Sequence, residues 1–313
     1  MSKRLAFDVG GTFTDFVVAD EETGASEVFK YPSTPDDPSL GVLEGLNQFL
    51  EAEGIPWSEV TQLIHATTVA TNTVLERKGA ETALVVTEGF RDVPVIGRQK
   101  RYDIYDLFLE KPDPIVERED IYEVDERVHP RFGAVDEPNE GALAELASEL
   151  AADYDSVAVS LLHSYYDDAH EQVVAEALEA ADPELAVTRG SALSKRFREY
   201  ERTNTAAVDA YLKPRVRGYI DRLLEAFAGN GYEDPFFMMK SSGGVMTADR
   251  VHEAPVQIVE SGPVAGALHS QHLGDHLGLD NLFSFDMGGT TAKICFIVDG
   301  EPKRTSTFEI DKL

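Results

Sequence analysis

The segment Phe7-Asp8-Val9-Gly10-Gly11-Thr12-Phe13-Thr14-Asp15 recurs near the other end of the chain as Phe285-Asp286-Met287-Gly288-Gly289-Thr290-Thr291-Ala292-Lys293. Each copy follows apolar residues and precedes a second apolar run, so each reads as a strand, a two-glycine turn and a returning strand. A tight hairpin turn is explanation enough for one such copy. Two matched copies in the same setting point instead to phosphate binding. Paired glycines let backbone N–H groups approach phosphate oxygens, the threonine hydroxyl adds a donor, and the aspartate can hold Mg²⁺ through water.

The repeat therefore names a set of candidate residues. Gly10, Gly11, Thr12, Thr14 and Asp15 in the first copy, with Gly288, Gly289, Thr290, Thr291 and Lys293 in the second, are expected to bind ATP. Asp8 and Asp286 are the expected catalytic carboxylates and the expected holders of Mg²⁺. One hairpin from each of two domains would clamp a triphosphate, with both turns lining a single nucleotide cleft.

Composition limits what surrounds this clamp. With 313 residues and 42% apolar side chains the chain can bury a sizeable core, and its length favours about two domains. Asp plus Glu number 57 against 28 Lys plus Arg, a formal charge of -29 that argues against nucleic acid or acidic membranes as partners. The acids recur in almost every segment, which suits a hydrated surface working at high salt and suggests a halophile. No stretch is long enough to span a bilayer. The single cysteine, Cys295, lies in the apolar run Ile294–Val298, where it reads as a small core residue. A soluble protein of the reducing cytoplasm is expected.

Periodicity predicts an α/β architecture. Leu5 to Val9 and Phe13 to Ala19 read as a strand pair, and residues 39–54 as a helix closed by Gly54. Strand and helix then alternate: Ala83 to Thr87, Gly141 to Ala152, Ser156 to Leu162, and Asp168 to Ala180. Residues 98–138 are rich in Pro, Asp, Glu and Tyr without strong period and read as an insertion or substrate-facing loop region. Lys195 to Ala228 is a long helical pattern that Pro214 interrupts, and another helix opens near Gly262-Pro263. The boundary between an N-terminal domain, 1–190, and a second one, 191–313, falls near Ser191.

Several segments together resemble the hydantoinase A/5-oxoprolinase family, which includes N-methylhydantoinase A and is related to acetone and acetophenone carboxylase subunits. They are the opening glycine turn, Ala66-Thr67-Thr68-Val69-Ala70-Thr71-Asn72, Gly89-Phe90-Arg91-Asp92-Val93 and Leu161-Leu162-His163-Ser164-Tyr165. The likeness continues in order through Arg198-Glu199-Tyr200-Glu201-Arg202-Thr203-Asn204-Thr205, Ser241-Ser242-Gly243-Gly244-Val245-Met246, Ser261-Gly262-Pro263 and the second glycine turn. The resemblance covers essentially the whole chain. It implies the actin/Hsp70/sugar-kinase-like (ribonuclease H-like) ATPase fold, ATP and Mg²⁺ as cofactors, a cyclic amide as substrate, and a companion hydantoinase B-type subunit in a hetero-oligomer. In related carboxylases it implies activation of a carbonyl substrate as a phosphorylated intermediate.

Two departures qualify that picture. Many members end the second phosphate loop in Asp, where this chain has Lys293, a residue able to pair with phosphate but not to help bind a metal. Members are also about twice as long. A later glycine-rich segment is expected to complete the second domain and hold adenosine, so the sequence reads as a fragment, a split gene product or a degenerate copy. On its own it is expected to bind ATP weakly, to leave the strands around Phe283 to Phe285 and Ile294 to Val298 partly uncovered, and to run Lys303 to Leu313 as an edge strand.

Other candidates each have a plainer role to set beside the functional one. Arg98 and Arg101 concentrate positive charge and suit a substrate carboxylate or phosphate, or simply a solvated loop. Thr68 and Asn72, with Thr67 and Thr71, match a family region that faces substrate, although such runs more often cap a helix. His269, His272 and His276 share a helix face but read as surface residues, and His65 and His163 as satisfied core histidines.

The leading expectation is an ATP-dependent cyclic-amide hydrolase of hydantoinase or 5-oxoprolinase type. A sugar-kinase-like phosphotransferase and a noncatalytic binding or regulatory paralogue are the alternatives. The acidic surface makes a separate prediction. Melting temperature should rise steeply between low salt and molar KCl as carboxylate repulsion is screened. A flat response in scanning calorimetry removes the halophile reading.

Overall fold

A computed structural model describes residues 2–34, 37–99, 104–109, 112–287, 292–305 and 307–310. The chain forms two compact units: unit 1 comprises Met1–Thr73 and Val216–Phe308, and unit 2 comprises Val74–Arg215 and Glu309–Leu313.

Unit 1 opens with three antiparallel strands, β1 (Lys3–Val9), β2 (Phe13–Asp20) and β3 (Ser26–Pro32). Alternation decides which face is buried: Leu5, Phe7 and Val9 point inward from β1. Helix α1 (Pro38–Glu53) follows. The Asp37 carboxylate accepts the Ser39 N–H at its start, Pro38 fits the first turn, and Gly54 ends it at φ 64°. Strand β4 (Val60–Thr67) runs parallel to β1, and α2 (Val69–Leu75) leaves its end.

Unit 2 is built on a parallel sheet. Its first strand, β5 (Thr82–Thr87), is followed by the single-turn α3 (Val93–Ile96), then β6 (Ile121–Val124), the short antiparallel pair β7 (Arg127–His129) and β8 (Gly133–Asp136), and α4 (Glu140–Asp153). Next come β9 (Ser156–Ser160), α5 (Ala169–Ala181), β10 (Ala186–Arg189), the single-turn α6 (Gly190–Leu193) and the long α7 (Glu199–Gly229). The order is β10-β9-β5-β6. Both faces are covered, which explains the unbroken apolar runs of β5 and β9. Ala83, Val85, Val157 and Val159 pack against α4 and α5 through Leu143, Leu150, Val174 and Leu178. Leu84, Val86 and Ala158 pack against Ala206, Ala207 and Ala210 of α7, where small side chains allow a close approach.

Regular structure thus occupies parts of the 98–138 stretch that periodicity left as loop, because its strands are too short to show a period. Pro214 does not interrupt α7. Proline removes an N–H and displaces the preceding turn, but Ala210, Tyr211, Leu212, Lys213 and Val216 are buried around it. The loosened turn is used: Ala80 N–H donates to the Tyr211 carbonyl at 3.0 Å.

The chain returns to unit 1 within α7 and adds β11 (Phe236–Met239), β12 (Val245–Thr247), α8 (Ala248–Glu253), α9 (Ser261–Leu277), and a last sheet of β13 (Leu282–Met287), β14 (Ala292–Val298) and β15 (Glu301–Pro302). The main sheet has the order β12-β11-β4-β1-β2-β3, an antiparallel meander extended by the parallel strands β4 and β11. This is the expected actin/Hsp70/sugar-kinase-like (ribonuclease H-like) ATPase fold.

The last sheet differs from expectation in two ways. Cys295 is half-buried on β14, not a core residue. Alternation puts Lys293, Cys295 and Ile297 on one face and the exposed Ile294 and Phe296 on the other, beside exposed Phe283, Phe285 and Met287 of β13. Among the described residues no strand follows β15, so the expected edge strand over 303–313 is absent there.

An aromatic stack holds the core of unit 1. Phe7 lies over His65 at 4.3 Å, with Phe236 and Phe227 alongside. Burial pushes the His65 imidazole down to about 3, so the ring is neutral. Its Nδ1 faces the Phe7 carbonyl at 3.2 Å and its Nε2 faces the Tyr219 hydroxyl at 2.8 Å. With Nδ1–H donating, Nε2 accepts from Tyr219. Tyr219→Phe removes that donor and leaves a buried nitrogen unpaired, and should cost about 1–3 kcal/mol in urea unfolding.

Candidate functional site

The first glycine turn sits at the carboxyl end of β1, and its two glycines do different things. A Cβ on Gly10 would stand 3.0 Å from the Phe13 carbonyl, whose oxygen accepts the Gly10 N–H at 3.1 Å, so the tight turn itself leaves no room for a side chain. A Cβ on Gly11 meets nothing within 4 Å and its φ is not positive. Geometry does not demand glycine at that position. Exposed Gly11 and Thr12 instead leave bare backbone facing open space.

Ser33, which sequence reasoning missed, braces the turn. Its N–H donates to the Thr12 carbonyl at 3.0 Å and its hydroxyl to the Gly10 carbonyl at 2.9 Å. Thr14 is wholly buried, 3.1 Å from the same hydroxyl. Asp15 pairs with Lys30 at 2.5 Å.

Two other segments, 67–72 and 260–262, meet this turn. Thr68 donates both its N–H and its hydroxyl to the Val9 carbonyl, at 3.2 and 3.0 Å, and Asn72 Nδ2 donates to the Thr68 hydroxyl at 3.2 Å. The start of α9 is tied to the end of β4: the Thr67 N–H donates to the Ser261 hydroxyl at 3.0 Å, and that hydroxyl donates to the Thr67 carbonyl at 3.1 Å. Glu260, at φ 61°, donates its N–H to the Thr71 hydroxyl at 3.0 Å. These bonds press Gly262 against Asp8, where a Cβ would stand 3.1 Å from both carboxylate oxygens.

Asp8 is the electrostatic centre of the arrangement. Its Oδ1 is enclosed and has no hydrogen-bond partner among the described residues. Burial, then the charges of Asp15 and Asp286, push its carboxyl up to about 6. Asp8 and Asp15 are direct cross-strand partners. In the second hairpin the same register pairs Asp286 with Lys293, so a like-charge pair becomes an opposite-charge pair. Lys293 is engaged by the Glu260 carboxylate.

Gly288, Gly289, Thr290 and Thr291 lie outside the described residues, as does Arg101. Arg98 belongs to unit 2, where its guanidinium is 2.9 Å from Glu201 and stacks over Tyr200. His269, His272 and His276 are exposed on α9. Among the described residues no group of three or more His, Cys, Asp or Glu is arranged to hold a metal, and no helix is long and apolar enough to cross a membrane.

Comparison with known proteins decides the family. Residues 4–181 match the model of the hydantoinase/oxoprolinase N-terminal region, and residues 202–313 match that of hydantoinase/oxoprolinase. The chain belongs to the hydantoinase/oxoprolinase family. It is 33% identical to the caprolactamase alpha subunit of Pseudomonas jessenii over 93% of this chain and 43% of that one. It is 32% identical to the acetophenone carboxylase gamma subunit of Aromatoleum aromaticum over 98% of this chain and 44% of that one. The crystal structure of the ATP-dependent caprolactamase superposes with a TM-score of 0.84 at 31% identity, covering 94% of this chain and 43% of that one. A nucleotide-free acetone carboxylase superposes with a TM-score of 0.82 at 27% identity, covering 95% and 44%. The chain thus spans less than half the length of these relatives, and the family to which it belongs includes ATP-dependent hydrolases and carboxylases.

The raised carboxyl of Asp8 sets a pH test. A group whose folded-state value lies above its unfolded one adds stability below the unfolded value, near 4, and loses it as pH rises through about 6. Ionised Asp8 then costs on the order of 2–3 kcal/mol. Asp8→Asn should therefore gain on the parent chain from pH 4 to pH 7.5 in metal-free urea titrations. A difference that stays constant across that range contradicts the assignment.

Proposed function

We propose that this chain supplies the ATP-binding part of an ATP-dependent cyclic-amide hydrolase of hydantoinase or 5-oxoprolinase type. The observation that carries the reading is the enclosed, unpartnered oxygen of Asp8, beside a glycine turn with open backbone and against the first turn of α9. An unmatched carboxylate at such a place suits a cation brought in with a ligand. Gly10, Gly11 and Thr12 would present N–H and hydroxyl donors to the phosphates, with Gly288, Gly289, Thr290 and Thr291 doing the same from the second hairpin. Asp8 and Asp286 fit a Mg²⁺ held through water, since among the described residues neither belongs to a group of three or more His, Cys, Asp or Glu arranged to hold a metal directly. Bound there, Mg²⁺ would neutralise phosphate charge.

Asp15 and Lys30 would hold the outer strand of the first hairpin, and Lys293 would move between Glu260 and a phosphate oxygen. Thr14 acts from inside, through Ser33, by fixing the shape of the turn. Thr68 and Asn72 lie at the same strand end and suit substrate, whereas Arg98 and Arg101 are proposed for its carboxylate on charge alone. A cyclic amide is favoured by the likeness to caprolactamase, and a companion subunit by relatives that are themselves subunits. The likeness to acetone carboxylase favours a second reading, ATP-driven carboxylation of a carbonyl compound.

Gly11→Val tests the phosphate role directly. A Cβ there would meet nothing within 4 Å, so folding should be little changed while ATP binding, read by calorimetry, falls at least tenfold. Unchanged affinity in the folded variant rejects the site. ATP consumption by the protein with its companion subunit, stimulated by 5-oxoproline or a hydantoin but not by acetone with bicarbonate, separates the two reactions.

A further inference from the structure

The carboxyl end of the unit 2 sheet gathers arginine and imidazole groups that the phosphate reading does not use. From β5 the chain passes to β6 on one side and then to β9 and β10 on the other. The space outside the carboxyl ends of strands at such a switch is where open α/β sheets take ligands. Phe90 follows β5, Arg127 and His129 follow β6, and His163 and Tyr165 follow β9. Alternation along β7 buries Val128 and leaves Arg127 and His129 half-buried together on the other face. The His129 and His163 rings meet edge to face, with centres 6.2 Å apart.

Their donors are largely unengaged. His129 Nδ1 accepts the Arg131 N–H at 3.1 Å, so the ring proton sits on Nε2, which has no partner among the described residues. His163, expected to be a satisfied core histidine, is only half-buried and makes no side-chain hydrogen bond among the described residues. Its backbone is held in the left-handed region at φ 64°. Burial, then the neighbouring His129, Arg127 and Arg202, lowers the His163 imidazole below its usual range, so the ring is neutral and carries one N–H. Arg127 lies over the Phe90 ring at 5.1 Å, gives only a long 3.4 Å bond to the Glu88 carbonyl and forms no ion pair among the described residues. Behind them the buried Arg202 donates to the Leu161 carbonyl at 3.0 Å, its guanidinium 5.8 Å from the Tyr165 ring. Glu126, the acid that opposes these charges at His163, is committed to His170 at 2.7 Å and to the Thr87 hydroxyl.

We propose that Arg127, His129 and His163 bind the carboxylate of a small aliphatic acid. The guanidinium offers a charged planar fork, each imidazole offers one N–H to a carboxylate oxygen, and the charge of Arg202 adds attraction from behind. The aliphatic part lies against Phe132, which stacks on His129 at 4.7 Å and is otherwise exposed. The acid supplies the negative charge that no carboxylate among the described residues brings to Arg127. The site requires no nucleotide, so its test is independent of the ATP reading.

The experiment is a titration of the chain, labelled with ¹⁵N in its histidine rings, with butanoate, butanamide and inorganic phosphate. Butanoate should move the His129 and His163 ring signals together and saturably while those of His269, His272 and His276 stay in place. Butanamide has the same shape without the charge, and phosphate has no apolar part for Phe132, so each should bind at least about tenfold more weakly. Arg127→Met, which keeps a stem over Phe90 and removes the charge, should weaken butanoate about tenfold, the loss of one charge-assisted contact. His129→Phe, which keeps the stack on Phe132 and removes the N–H, should also weaken it, with the remaining spectrum that of a folded chain. No saturable binding of butanoate to the folded parent chain overturns the proposal, as does equal or tighter binding of butanamide or phosphate, or an affinity unchanged in either folded variant.

Discussion

The reciprocal hydrogen bonding between Thr67 and Ser261, residues 194 apart in the chain, is the constraint on which the unit 1 site depends. It fixes the first turn of α9 to the end of β4, and β4 lies beside β1 in parallel register. Gly262 is thereby brought against Asp8, and any larger residue would press into the carboxylate. The contact encloses Asp8 Oδ1 without supplying it a donor. An unmatched buried carboxylate costs stability.

The two hairpins share a sequence pattern but not an electrostatic environment. In the first, Asp8 faces Asp15 across the strands, and the second acid finds relief in Lys30. In the second, Asp286 faces Lys293, which Glu260 holds from the start of α9. The negative field around Asp8 is therefore concentrated by burial and by like charge, whereas the second hairpin is internally balanced. The two similar turns thus sit in unequal electrostatic surroundings.

The two units bury their sheets differently. The parallel sheet of unit 2 is packed on both faces by helices, while one face of β13 and β14 in unit 1 leaves five large apolar side chains open. Such a face is normally covered. The relatives reported above are more than twice as long as the matched region, and a face of this character is compatible with burial by further secondary structure in proteins of that length.

Much of the fold was legible in the sequence. The glycine turns, the alternation of Leu5, Phe7 and Val9, the caps of α1 at Asp37 and Gly54, and the strand and helix sequence of unit 2 are local properties, written in residues near one another. Pro214 and Cys295 misled for the same reason: a proline's effect and a cysteine's burial depend on what packs around them, here the buried shell of α7 and the open face of β14. Ser33, Glu260 and Ser261 carry no periodic signal, and their roles in bracing the turn and the helix start exist only once distant segments meet. The sequence by itself determined where the two glycine turns and their flanking acidic and basic residues lie. Tertiary structure alone decided that Asp8 is enclosed and unpartnered, that Thr14 faces inward and that Lys293 is held by Glu260, because hydrogen bonding and desolvation are settled by neighbours in space and not in sequence.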